Sequence, residues 1–480
     1  MSLSTCCAAI LAALGSSKVS APGNFRYTSS LSSYYSLQTS QTQPDCIVQP
    51  ASAADVSTAV TILAANSANP ACRFAVRSGG HMFHAQASNI AGGVTLDLRD
   101  LNEITLVNGN ADVRLGVGLT WGEVYAQLDP LGLTVAGGRI ASVGVGGYIV
   151  GGGLSFLSPK VGFAADTVSK YEVVLANGTL VEATATQNSD LLRALRGGGN
   201  NLGIVTRVTM KTHTQGLMWG GTMMHPTTTL HNHLLAFIDF NKATGYDENA
   251  SLITSLVYYY GISHTISTQM AYTGPPSSSP PAAFSDFLSV PWVTTNYARV
   301  NTMRNVTVEA GASIPGSSRN LWWTQTAVCN LQVLGAAYQI WWDSHSSVQN
   351  IPGIVWTMTF QPLPPSIYNR NPTTNSLGFN SPSRSNQPLV VIQLLASWAS
   401  SLDDAFVRTK ARELYDSLTA ELVAKSATDP WVYLNYAADW QDPIAGYGTG
   451  NVAALQAART KYDPNGVFTS RVPGGFKIPV

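Results

Sequence analysis

The sequence predicts an α+β fold of more than one domain, and three observations carry that expectation. Residues 1–214 alternate short strands, helices and many glycines. Residues 215–429 hold strands that are mostly not joined as βαβ units, together with long helices. That pattern reads as an antiparallel sheet covered by helices on one face. Residues 430–480 form a short aromatic segment. A length of 480 residues agrees with two or three domains at about 150 residues each.

The elements follow in order. The apolar run from Cys6 to Leu14 is far short of the roughly 20 residues a membrane span needs. No Lys or Arg precedes it, so it reads as a short helix of the mature chain rather than the apolar part of a signal peptide. Ser52 to Asp55 caps a helix over 56–66. Strands are expected over 74–76, over 93–98 with period-two alternation, and over 112–117. A helix covers 120–128, and a glycine-dense stretch runs from Gly137 to Gly153. Asn177-Gly178 suits a type I′ turn joining strands 171–175 and 180–185. A helix over 191–195 is broken by Gly197–Gly199, and a strand covers 203–211. In the middle zone, strands are expected over 251–260, 265–272, 353–361 and 389–398, with helices over 229–244 and 403–425. Loops rich in Pro and Ser span 275–281 and 362–388.

Composition removes several function classes. Lys and Arg together number 27, as do Asp and Glu, for a formal net charge of zero. A nucleic-acid footprint needs a basic surface, and a polybasic membrane patch needs the same. With 45% apolar residues the chain is not disordered. Charged residues make up only 11%, against a usual value of about 25%. Ser, Thr, Asn and Gln must coat the surface, as they do on many secreted proteins. The cysteines are Cys6, Cys7, Cys46, Cys72 and Cys329. No pair has metal-ligand spacing, and no metal site is expected. One disulfide from the first helix to Cys46 is expected, and the odd count leaves a free thiol. Sequons begin at Asn177, Asn249 and Asn305.

The glycine pattern carries the chemistry. Clusters lie at 79–80, 144–153 and 197–203. Glycines let a backbone approach a phosphate closely, and successive N–H groups make an anion nest. Gly144-x-Gly146 is only a fragment of the dinucleotide pattern, and no Walker sequence is present. His81 closes the first cluster. Beside a cofactor cradle such a histidine is a surface residue, a nucleophile or a covalent anchor, and the residues alone leave these open.

Nine ordered pieces then give a resemblance. They are Val76-Arg-Ser-Gly-Gly-His81, Gly93-Val-Thr-Leu-Asp-Leu98, Val143-Gly-Val-Gly-Gly147, Gly151-Gly-Gly-Leu154, Gly162-Phe-Ala-Ala-Asp-Thr-Val168, Asp190 to Gly199, Asn201-Leu-Gly-Ile-Val-Thr206, Tyr433-Leu-Asn-Tyr436 and Asp463-Pro-Asn-Gly-Val-Phe468. The chain resembles the berberine-bridge-enzyme-like branch of the vanillyl-alcohol oxidase superfamily, flavoproteins with a PCMH-type FAD-binding domain. The resemblance implies a two-subdomain flavin domain over 1–214, a substrate domain over 215–429, and a segment over 430–480 that returns to the flavin. It also looks like secreted fungal members, where an early cysteine bridges to the cysteine at position 46. That implies secretion, with the natural signal peptide missing from this sequence.

The resemblance implies FAD held by Arg77, Ser78, Gly79, Gly80, His81, Met82, Ser142, Val143, Gly144, Gly146, Gly147, Gly152, Val205 and Asn435. Its flavin is bonded to His81 alone, because the second anchoring cysteine of many relatives is replaced by Ile140. Val143 matches the small gatekeeper of oxygen-reactive members. Tyr433 matches a catalytic tyrosine, and Gln393 an active-site position that is glutamate in the berberine bridge enzyme itself. An unperturbed tyrosine has a pKa near 10, so a base at Tyr433 needs a nearby donor or positive charge. Phe83 stands where several relatives carry a second tyrosine. Trp322, Trp323, Trp341, Trp342, Trp356 and Trp398 are expected mainly in the core. The implied activity is an oxidase, expected as a monomer, that moves hydride from a fungal secondary metabolite to FAD and returns electrons to O₂ as hydrogen peroxide. The alternatives are an oligosaccharide oxidase forming lactones and a non-redox flavoprotein that catalyses a cyclisation.

Overall fold

The computed structural model describes residues 3–480 apart from 67, 262, 277–278, 296–298, 313–316, 381–383 and 385. Parts of the two expected Pro- and Ser-rich loops therefore lie outside the described residues. Three of the four sheets among the described residues organise the fold. The first places strands Cys46–Val48 and Phe74–Arg77 parallel on either side of Val94–Asp97, with Val19–Ser20 antiparallel at one edge. The second is antiparallel and runs Ile104–Val107, Asp112–Gly116, Ile204–Lys211, Val168–Val174, Leu180–Thr184. The third is a wide antiparallel sheet whose central strands are Ala250–Tyr259, Val355–Leu363, Leu389–Trp398 and Arg319–Val328.

Period-two alternation gives the wide sheet two different faces. Trp356, Met358 and Phe360 point to a hydrophobic core, as do Ile392 and Leu394. Helices Leu331–Val348 and Asp404–Ala424 close that core with Val333, Leu334, Ala337, Leu414 and Leu418. Intervening residues such as Thr357, Thr359, Gln361 and Gln393 face a cavity. A separate core packs the first two sheets together with residues 431–478. The returning segment is tied down by Asn201, which donates to the Phe476 carbonyl at 2.8 Å and accepts from the Ile478 N–H at 3.3 Å.

Local chemistry sets the element ends. Ser52 accepts from the Asp55 N–H at 3.2 Å and caps helix Ala53–Ala65. Thr120 and Glu123 form a capping box at the start of helix Trp121–Leu128. The first helix, Thr5–Leu14, is pinned twice, by Cys6–Cys72 and Cys7–Cys46. The bridge to Cys46 thus uses Cys7, and a second one joins Cys72, which the spacing did not single out. Cys329 is free and buried.

Some expectations are corrected. The 174–180 connection is a hairpin, but not a two-residue type I′ turn. Val174 pairs with Leu180, leaving five intervening residues, and Gly178 alone among them has a positive φ, of 81°. Asn177 instead accepts from the Thr179 N–H at 3.0 Å, which stabilises a longer loop. The helix expected over 229–244 ends at Phe240. Strands Met218–His225 and Arg319–Val328 and helix Leu331–Val348 were not anticipated. Among the described residues, no helix is long and apolar enough to cross a membrane.

Candidate active site

One wall of the cavity is main chain. Strand Phe74–Arg77 ends in the loop Ser78–His81, which packs back to back with the loop before helix Val145–Val150. A Cβ on Gly144 would come within 2.2 Å of the Gly79 nitrogen, and one on Gly79 within 2.6 Å of the Gly144 Cα. Ser78 locks the two loops, donating to the Val117 carbonyl at 2.6 Å and accepting from the Gly146 N–H at 3.1 Å. The N–H groups of Ser78, Gly79, Gly80 and His81 find no acceptor among the described residues. Consecutive unpaired N–H groups on glycine-rich turns make an anion nest. A Cβ at Gly147, which also faces the cavity, would meet nothing within 4 Å.

Arg77 lies behind this wall rather than in it. Its guanidinium is buried, donates to the carbonyls of Ser30 at 2.6 Å and Ser33 at 3.0 Å, and pairs with Asp97 at 3.7 Å. It stacks on Tyr34 at 3.8 Å. His81, at the end of the loop, opens onto the cavity and stacks on Tyr35 with ring centroids 4.0 Å apart. Its Nε2 lies 3.2 Å from the Ser142 hydroxyl. Burial holds the imidazole down to about 4, so at neutral pH the ring is uncharged.

The opposite wall is the face of the wide sheet. It presents Ser255, Thr357, Thr359, Gln361 and Gln393 among aliphatic Ile253, Val257, Val355 and Leu395. A polar chain crosses from one wall to the other. The Arg139 Nη2 donates to the Tyr436 hydroxyl at 3.0 Å and to Gln361 Oε1 at 2.5 Å, and Gln361 donates to Gln393 Oε1 at 3.3 Å. Tyr433 stands beside this chain, its ring 4.6 Å from that of Tyr436. Its hydroxyl accepts from the Leu154 N–H at 3.0 Å and from Asn435 Nδ2 at 3.1 Å. Burial, and then the neighbouring Tyr436, push the Tyr433 phenol well above its usual range. The void between the walls measures about 2440 Å³ out to open solvent.

Comparison with known proteins fixes the family. The family model of an FAD binding domain matches residues 44–184. The chain is 35% identical over 488 residues to the FAD-dependent monooxygenase drtC of Aspergillus calidoustus, across 98% of this chain and 90% of that protein. The chain belongs to the FAD-dependent oxidoreductases that carry this FAD binding domain. It is also 38% identical over 475 residues to Oligopeptidase PhomG' of Diaporthe leptostromiformis, but spans only 37% of that protein's length. Two solved structures share the fold. Physcomitrella patens BBE-like 1 superposes with a TM-score of 0.79 at 20% identity, over 100% of this chain and 99% of that one. The xylooligosaccharide oxidase of Myceliophthora thermophila C1, in complex with xylobiose, gives 0.78 at 20% identity, over 99% and 100%.

FAD is therefore the cofactor of this oxidoreductase, and the residues present fit it. The nest of unpaired N–H groups suits a pyrophosphate, and the bare surface at Gly147 leaves room for it. Of the residues the sequence singled out, Ser78, Gly79, Gly80, His81, Met82, Val143, Gly144, Gly146, Gly147, Val205, Gln393, Tyr433 and Asn435 line this one cavity. Arg77, Ser142 and Gly152 do not. Ser142 reaches the site only through His81, and Gly152 (φ 100°) packs against Leu377. Sequence reasoning missed the roles of Arg139, Gln361 and Tyr436. Arg139 sits one residue before Ile140, and Gln361 is a lone amide at the end of an apolar strand. Of the six tryptophans, Trp323, Trp341, Trp356 and Trp398 are core, Trp342 packs against that core, and Trp322 lines the cavity.

Proposed function

We propose that this protein is an oxidase that takes hydride from a hydroxylated aromatic metabolite and hands the electrons to O₂, forming hydrogen peroxide. The observation that carries the reading is the Arg139–Tyr436 pair standing between a flavin-binding wall and an uncharged substrate wall. FAD supplies the hydride acceptor and the reaction with oxygen. His81, neutral and lining the cavity, is its single covalent anchor. Ile140 brings no thiol to the site, and the free Cys329 does not line the cavity. Val143 lines the cavity and is the small residue that leaves oxygen access to the flavin in this reading.

The sequence placed the base at Tyr433, and we propose Tyr436 instead. Tyr433 receives hydrogen bonds only from neutral amide groups, and burial disfavours its ionised form. Tyr436 receives one from a guanidinium, which neutralises negative charge on its oxygen. Tyr436 thus takes the proton from the substrate hydroxyl, while Tyr433 forms the wall behind it. Gln393, an amide, orients substrate and cannot be a base. Two disulfides close to the start of the sequence also support an oxidising, secretory compartment.

The hydroxyl and amide groups of the sheet wall favour one rival, an oligosaccharide oxidase. Anaerobic mixing with sugars and with phenols, followed by flavin absorbance, separates the two. Phenols bleach the flavin and release peroxide aerobically, and Tyr436→Phe slows that bleaching by about 100-fold or more. An unchanged rate in Tyr436→Phe removes it as the base. Isotopically labelled O₂ leaves no label in the product if the enzyme is an oxidase, whereas a monooxygenase incorporates it. Absence of bleaching with every substrate supports a non-redox cyclisation.

A further inference from the structure

The polar chain that crosses the cavity has a direction. Arg139 can only donate, since a guanidinium has no acceptor atom. It donates to Gln361 Oε1 at 2.5 Å, which fixes the end of that amide that faces it. The other end, Nε2, must then donate, and it meets Gln393 Oε1 at 3.3 Å. Gln361 and Gln393 are buried and stand on neighbouring strands, Val355–Leu363 and Leu389–Trp398. Each amide oxygen is thus taken by the residue before it, and Gln393 is the last member of the chain. Its Nε2 donates to no described residue, and Gln393 lines the cavity. At this point the sheet wall offers two N–H donors. A carbonyl oxygen satisfies such a group completely. A hydroxyl bound there also brings a proton of its own, and both amide oxygens already hold a donor. Thr359, across from Gln393 on the next strand, is already bonded to Ser255. A buried donor left without a partner is costly, so the site separates the two kinds of oxygen.

We infer that Gln393 Nε2 holds a carbonyl oxygen of the substrate, and that Arg139 and Gln361 are positioning residues that turn the Gln393 amide to do so. The inference rests on the reading of the sheet wall as the substrate wall. It narrows the substrate to aromatic compounds that carry a ketone, quinone or ester oxygen besides the hydroxyl that is oxidised. The direction of the chain comes from the cation at its start. An ionised carboxylate at position 361 or 393 has acceptors only, so either change reverses the group shown to the cavity.

The test uses the flavin-loaded protein and two probes, acetophenone and 2-phenyl-2-propanol, an alcohol with no hydrogen on its carbinol carbon. Affinity is read by calorimetry, and the C=O stretch of isotopically labelled acetophenone by infrared difference spectroscopy. The wild type is expected to bind the ketone about fivefold or more tighter than the alcohol, with the stretch at lower wavenumber than in an apolar solvent. Gln361→Glu lets the side chain pair with Arg139 through one oxygen and accept from Gln393 Nε2 through the other, which turns Gln393 Oε1 to the cavity. That variant is expected to prefer the alcohol and to lose the shift of the stretch. Gln393→Glu, which puts a carboxylate oxygen at the end of the chain, is expected to do the same. Binding of the two probes within twofold of each other by the wild type overturns the inference. So does a preference for the ketone that survives in either flavin-loaded variant. Failure of phenols to bleach the flavin removes the oxidase reading and leaves these ratios as they stand, because neither probe is a phenol or a hydride donor.

Discussion

The two walls of the cavity are built of opposite materials. The flavin wall is main chain held at contact distance, where Gly79 and Gly144 leave no room for a side chain. The sheet wall is all side chains, delivered by strands whose backbone hydrogen bonds are already paired. The first wall is a geometry that almost any substitution spoils. The second is a surface that changes residue by residue while the sheet beneath it stays the same. A constant cofactor and a variable substrate call for that division of labour.

Substitutions test the comparison directly, and the largest effect is expected on the main-chain wall. Gly144→Val puts a branched side chain into the Gly79 backbone, and the purified protein is expected to be colourless, as visible absorbance checks. His81→Ala leaves that wall intact. Flavin is then expected to bind but to be released completely on acid precipitation, whereas the wild type retains it. Retention in His81→Ala breaks the assignment of the anchor. On the sheet wall, Thr359 and Ser255 share a hydrogen bond at 2.9 Å. Thr359→Val is expected to leave flavin loading unchanged and to cost about 1 kcal/mol or less in thermal unfolding, with a severalfold change in KM. Loss of flavin in that variant merges the two walls into one unit.

The sheet domain also carries a pH dependence. His233 is fully buried, bonded to Thr254 and Thr268, and burial followed by the neighbouring His225 holds it down to about 3. The unfolded chain binds a proton at His233 near pH 6.5, before the folded one does. Its contribution is therefore present above that value and is lost progressively as pH falls toward 3. The unfolding midpoint should drop between pH 7 and pH 4, and His233→Gln should flatten that slope.

The flavin wall was legible in the sequence because close backbone approach demands glycine, and glycine is visible as such. Strands 93–98 and 389–398 were legible by their apolar residues. Strand Arg319–Val328 was not, since nine of its ten residues are buried while its polar residues, Arg319, Asn320, Thr324, Gln325 and Thr326, fall on both faces and leave no alternation to read. Nor was the choice between Tyr433 and Tyr436. Both phenols belong to one motif, and what separates them is Arg139, 297 positions away from Tyr436. The second disulfide was hidden for the same reason, since Cys72 lies 66 positions from Cys6 and meets it only once the intervening chain has folded. Spacing shows what neighbours in the chain do, and these partners are neighbours only in space.

Asn201 clamps the segment that carries Phe476, and Phe476 and Gly475 themselves line the cleft. Residues 44–184, though matched as a binding domain, therefore own less than a whole vessel. Transplanted alone into another scaffold, they would bring the phosphate-binding floor without the cover that keeps a dinucleotide in place. Any attempt to borrow this flavin site must take both ends of the polypeptide together.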